Sequence, residues 1–162
     1  MMLERLGPRA GVLVLAAVIG LLAGCGAAAP DDGASPETAS QGALEVTAKL
    51  VDIAGEFPSN DLYDYAYVMR YEIVETHRGE ASGVILVGHY NPLKKRAEAA
   101  DQRSGPIGGN VTRFRAGDLH RMALDLPIDA YCMAGIINPY AEEGEFAAAP
   151  VYWAHSTNRV VP

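Results

Sequence analysis

Cysteine is nearly absent from this chain: among 162 residues there are two, Cys25 and Cys132. A multi-disulfide framework is therefore excluded, and the C-x-x-C spacing of a zinc or redox site does not occur. An excess of basic charge is lacking too. Thirteen Lys and Arg stand against twenty Asp and Glu, a formal charge of −7, which argues against general nucleic-acid binding. There is no G-x-S-x-G elbow, and no Gly-Lys-Ser/Thr follows the glycine-rich Gly105–Asn110 stretch, so two common catalytic motifs are missing. The four histidines, His77, His89, His120 and His155, are separated by 12, 31 and 35 residues, which matches no metal-ligand spacing.

What is present begins at the N-terminus. Arg5 and Arg9 precede an apolar run, Gly11–Ala23, and Leu22-Ala23-Gly24-Cys25 closes it. Positive flank, short apolar core and small residues are the layout of a secretory signal. A cysteine directly after them resembles the bacterial lipoprotein signal. That resemblance implies a diacylglyceryl group on Cys25, cleavage between Gly24 and Cys25, and no other cofactor. It places the protein at the cell envelope, in the outer membrane if the host is Gram-negative, because Gly26 stands where an aspartate would direct inner-membrane retention. Gly11–Ala29 carries no charge, so an uncleaved span and a cleaved, free domain are the competing readings.

Removal of residues 1–24 leaves 138 residues with a charge of −8, enough for one domain. Residues 25–43 read as the lipidated cysteine and a tether. Gly26–Gly42 has no large apolar residue and cannot offset its ordering entropy, and seventeen flexible residues span roughly 20–25 Å. The domain proper is 44–162. Its charge is uneven: Lys94–Arg121 holds seven basic and three acidic residues.

Strand signals dominate from Leu44. Leu44–Ile53 alternates and ends at Gly55. Leu62–Glu75 is clearer, with Tyr63, Tyr65, Tyr67, Met69, Tyr71 and Ile73 on one face and Asp64, Arg70 and Glu72 opposite, the period of a long half-buried strand. Its length predicts a bulge or strong bend. Gly83–Tyr90 is a third strand. Asn91-Pro92 predicts the start of a helix over Leu93–Arg103, stopped by Ser104-Gly105-Pro106. Leu119–Leu126, Asp129–Ile137 and Val151–His155 read as further strands, and Pro139–Pro150 as a loop.

The expected fold is mainly β: a small Greek-key OB-type barrel with one helix after the third strand. "YEIVETHRGE", "GVILVGHY" and "FRAGDLHRMALD", over residues 45–126, resemble the TIMP-like (netrin-like) version of that barrel. "LYDYAYVMRY" and "VGHYNPL" are similar to small β-barrel lipoproteins of bacterial envelopes, some associated with surface polysaccharide systems. Protease inhibition does not carry over, because inhibitors of that family use a disulfide-held N-terminal cysteine, whereas Cys25 is an attachment point far from the barrel.

The resemblance implies a lipid-anchored, non-catalytic binding or assembly module at the cell envelope, with the membrane as one partner and an anionic glycan or envelope protein as another. The favoured contact patch is His89, Tyr90, Asn91, Lys94, Lys95 and Arg96, joined by Arg113 and Arg115, because cations at a helix start oppose the helix dipole. A solvated helix face is the plain alternative. The tyrosine face fills the barrel interior or stacks on sugar rings. The competing functional readings are a protein-binding sensor or inhibitor module and an envelope enzyme. The enzyme would need His89, His120 and His155 to converge, or Cys132 to act as a nucleophile instead of a small buried side chain. Asn110-Val111-Thr112 matches a glycosylation sequon, a chance match in a bacterial lipoprotein.

Overall fold

A computed structural model describes residues 41–142 and 144–161, so Cys25, the signal and most of the tether lie outside the described residues. No helix among the described residues is long and apolar enough to cross a membrane. Six strands form among the described residues: β1 (Leu44–Asp52), β2 (Tyr65–Arg78), β3 (Val84–Tyr90), β4 (Leu119–Asp125), β5 (Gly135–Ile137) and β6 (Val151–Val160).

The alternation of β1 and β2 sets the inside of a ring. Val46, Ala48 and Leu50 from β1 and Tyr65, Tyr67, Met69 and Tyr71 from β2 meet Ile85, Val87, Met122, Leu124 and Ala154 from the other strands. Each large side chain buried in this way contributes about 1.5–3 kcal/mol. β1 pairs antiparallel with β2 and β4, β4 antiparallel with β6, β6 parallel with β3, and β3 antiparallel with β2. This closed five-stranded order is that of an OB-type barrel. β2 is long enough to serve three neighbours, offering Ala66–Glu72 to β3, Arg70–Arg78 to β1 and Tyr65–Tyr67 to the short parallel β5. The expected bend takes the form of three register shifts along β1–β2.

The predicted helix over Leu93–Arg103 does not form. Lys95 is extended, with ψ 144, and only Arg96–Glu98 makes a 3-10 turn. The cause is tertiary. The Arg96 amide donates to the Val111 carbonyl at 3.0 Å, where a helix would need Pro92. Its guanidinium turns into the end of the barrel, donating to the carbonyls of Asn91 at 2.7 Å and Lys94 at 3.1 Å and lying 5.1 Å from the Phe114 ring centre. Arg96, Phe114 and Val111 thus plug the barrel where a helix was expected. Asn91 adopts φ 44 to make the corner, a conformation asparagine tolerates better than most residues. Both ends of its side chain are bonded, to Asn60, Tyr65 and Ala99.

The long connection from β4 to β6 wraps the outside of β2, β3 and β6. Ile128, Tyr131, Cys132 and Ile136 cover Ala66, Tyr90 and Trp153, and Tyr140, Phe146 and Ala149 cover Val68 and Leu86. Gly88 is the fitting point, since a Cβ there would lie 2.1 Å from the Ile128 Cδ1. The predicted Asp129–Ile137 strand shrinks to β5, because its first half is a 3-10 turn that seats Ile128. β6 runs five residues beyond the predicted Val151–His155.

Candidate functional site

The predicted contact patch does not form one surface. His89 points into the barrel, Tyr90 is buried under the wrapping segment, and Asn91 and Arg96 are buried at the plugged end. Lys94 is held by Asp64 at 2.9 Å, and Lys95 faces Glu98 at 3.5 Å. Only Lys95, Arg113 and Arg115 of the eight are exposed, the last two flanking the inward Phe114. The physical reason is the absent helix: without it, Arg96 faces inward and the cations share no face.

The histidines converge only in part. Inside the barrel, the Tyr71 hydroxyl lies 3.0 Å from both His89 Nε2 and His120 Nδ1, and Phe114 packs on both rings. A phenol has one proton, so it donates to one imidazole and accepts from the other, which gives the row a direction. Thr157 Oγ1 continues it, 3.5 Å from His89 Nδ1. Burial pushes His89 well below its ordinary value, helped by the nearby Arg96 charge. Burial likewise pushes His120 down to about 4. Both rings are therefore neutral near pH 7. Burial raises Tyr71 well above its usual range, so the phenol keeps its proton.

His155 is elsewhere, so the His89–His120–His155 trio is not assembled. Its Nε2 lies 3.0 Å from Asp125 Oδ2, on the outer side of β6 under Tyr131. Burial raises the Asp125 carboxyl, but hydrogen bonds from the Ala43 amide, His155 and Tyr131 outweigh it and hold the group below its ordinary value. Cys132 belongs to the wrapping segment and faces the barrel, 7% exposed, and burial pushes its thiol up. Both facts work against a nucleophilic thiolate. In the Cys25→Ala chain, whose only thiol is Cys132, a disulfide reagent should react about a hundredfold slower with the folded than with the unfolded protein; equal rates would reveal an activated thiol. Among the described residues, no group of three or more His, Cys, Asp or Glu side chains could hold a metal.

Tyr65, Tyr67 and Tyr71 fill the interior, as one of the two expectations had it, and Tyr63 alone of that face is exposed, at 52%. OB-type barrels bind oligosaccharides and oligonucleotides on the outer face of the second and third strands. Here that face is covered by the chain's own residues 128–149.

The outer side of β4 and of the C-terminal half of β6, from Ser156 on, is left uncovered. It carries a groove of about 650 Å³ lined by Glu45, Asn110, Arg121, Ser156, Asn158 and Arg159, with Val160 and Val161 as its apolar end. Alternation along β4 turns Arg121 and Ala123 outward while His120, Met122 and Leu124 face inward. Glu45 accepts from Arg121 at 2.8 Å and pairs with Arg78 at 3.2 Å, and Arg159 holds Asp118 at 3.0 Å. The two asparagines lock one another: the Asn110 amide N–H donates to Asn158 Oδ1 at 3.0 Å, and the Arg159 amide donates to Asn110 Oδ1 at 2.7 Å. With both Oδ1 atoms engaged, the two Nδ2 groups are the free ends, and neither has a protein partner among the described residues. Sequence reasoning missed this wall. Asn158 and Arg159 lie beyond the strand predicted to end at His155, and Asn110 registered only as a sequon.

Fold and groove together describe an OB-type barrel whose usual ligand face is closed and whose opposite wall is open and rich in donors. Comparison with known proteins finds no matching family model, curated protein or solved structure.

Proposed function

We propose that this protein is a lipid-anchored, non-catalytic binding module of the cell envelope, acylated on Cys25 and serving a surface-polysaccharide assembly. The observation that carries the reading is how the chain joins the barrel. The predicted tether ends at residue 43, and β1 begins at Leu44. Arg78 Nε and Nη2 hold the Gly42 and Gln41 carbonyls, each at 3.1 Å, and Asp125 Oδ1 accepts from the Ala43 amide at 2.7 Å. A domain pinned at the end of a tether transmits its position to the membrane through that one point. The groove opens beside it, because Glu45 belongs to both. A binding role also accords with the interior histidines, which are buried and bonded to Tyr71, out of a substrate's reach.

Two acyl chains, at about 0.8 kcal/mol for each buried methylene, anchor stably. Metabolic labelling with an alkyne fatty acid should therefore mark the wild-type protein and place it in the membrane fraction, and Cys25→Ala should abolish both. Labelling and membrane retention that survive the substitution would refute the anchor.

A further inference from the structure

We propose that the groove on the outer wall of β4 and β6 binds a carboxylate-bearing saccharide, a uronic-acid-type oligomer. The proposal deepens the binding-module reading and takes its setting, though not its site, from it.

The polar side chains of the lining are donors apart from Glu45, set among the apolar Met122, Ala123, Val160 and Val161. Asn110 and Asn158 each spend their oxygen on a backbone N–H, so their amide nitrogens are fixed in orientation before any ligand arrives. Such preorganisation removes part of the ordering cost of binding. Arg121 uses Nε and Nη2 on Glu45, and Arg159 uses Nη2 on Asp118, which leaves each guanidinium with N–H groups to spare. Planar guanidinium groups are suited to carboxylates. Ser156 adds a hydroxyl at the floor.

The rest of the lining selects the class of anion. Glu45 is a fixed acceptor, bonded to Arg78 and Arg121; it suits sugar hydroxyls, and it repels a dianionic phosphate about twice as strongly as a singly charged carboxylate at the same distance. Val160 and Val161 supply an apolar end against which the C–H face of a sugar ring can pack. Glu45, Arg121 and Arg159 together leave the lining net positive on a chain whose overall charge is −7. The volume of about 650 Å³ falls within the range of roughly 300–1,000 Å³ of small-molecule sites.

Titration calorimetry on the full-length protein in neutral detergent tests this with three probes: a tetramer of galacturonic acid, the neutral galactose tetramer, and vesicles containing anionic phospholipid. The acidic tetramer should bind, the neutral one at least about tenfold more weakly, and added salt should narrow the difference. In the double variant Asn110→Asp, Asn158→Asp, each side chain keeps the oxygen that accepts the backbone N–H but replaces the donating amide with a carboxylate oxygen. Affinity for the acidic tetramer should fall about tenfold or more while the melting temperature holds. Arg121→Gln gives the same test through a different side chain should the double variant not fold. Absence of acidic-tetramer binding, equal affinity for the neutral sugar, or unchanged affinity in both variants overturns the proposal. So does a gain in vesicle binding when anionic phospholipid replaces neutral phospholipid, without binding of the acidic tetramer. Cys25 labelling of the same preparation reports separately on the anchor, so a failed saccharide site and a failed anchor give different results.

Discussion

Acidification from pH 7 to pH 4 will cost the barrel about 3 kcal/mol through His120 alone. The ring titrates at about 4 in the folded protein and near its ordinary value of about 6.5 in the unfolded chain. Between those values the unfolded state binds the proton and the folded state refuses it, so stability falls as pH falls. The full contribution is present above about pH 6.5 and is lost progressively down to about pH 4. His89 adds in the same direction. The groups facing the pair explain why no internal partner rescues the charge. Tyr71, Phe114 and Thr157 are neutral, Arg96 is itself a cation, and the Asp118 carboxylate, which favours the charged ring, is paired with Arg159, which opposes it, so burial wins. Denaturant midpoints measured at several pH values between 7 and 4.5, above the range where most carboxylates titrate, isolate the effect. His120→Leu should remove only part of the slope, His89 carrying the rest, and a wild-type midpoint that does not move over that interval would refute the assignment.

Gly109→Ala will destabilise the protein by about 4 kcal/mol or more, enough to unfold a domain of ordinary stability. Gly109 has φ 115, and an added Cβ would lie 2.1 Å from the Thr157 carbonyl oxygen, 2.6 Å from its carbon and 2.8 Å from its nitrogen. None of these is the end of a flexible side chain. Relief requires the loop to part from β6, which breaks Thr157 N–H to Gly108 O and Val111 N–H to Thr157 O and drags Asn110 out of the groove. Gly83 and Gly117 are the internal controls. Both have positive φ, 73 and 96, and open space at the Cβ position, so alanine there should cost only about 1 kcal/mol of conformational strain. Similar melting temperatures for all three variants would show that the contact at Gly109 is not what sets its cost.

The barrel was legible because period-two alternation is a property of neighbouring residues. Tyr65, Tyr67, Met69 and Tyr71 face inward as their spacing predicts, and the ring follows from where such strands can pair. The helix over Leu93–Arg103 does not form because the local signals, Asn91-Pro92 at its start and Ser104-Gly105-Pro106 at its end, are outweighed by a contact with distant chain: Arg96 is committed to Val111 and Phe114. Nothing near Arg96 in sequence announces that it will be buried. The groove was hidden for a related reason. Arg121 on β4 meets Asn158 across a strand pair, and Asn110 arrives from a loop, so the wall exists only once β4, β6 and that loop are together. His89 and His120 were named as partners, but the residue that joins them, Tyr71, read only as another ring on an apolar face.

If the proposed anchor on Cys25 holds, closure of the ring carries a consequence for a protein held at a membrane surface. Anchoring concentrates molecules in two dimensions and raises the rate at which neighbours collide. A sheet with unpaired strands would then be a template for edge-to-edge aggregation. β1 meets β2, the parallel β3–β6 seam completes the circle, and the apolar outer face of β2 and β3 lies beneath residues 128–149. Copies crowded by such an anchor would offer one another no open edge of the ring, so geometry would guard against edge-to-edge pairing.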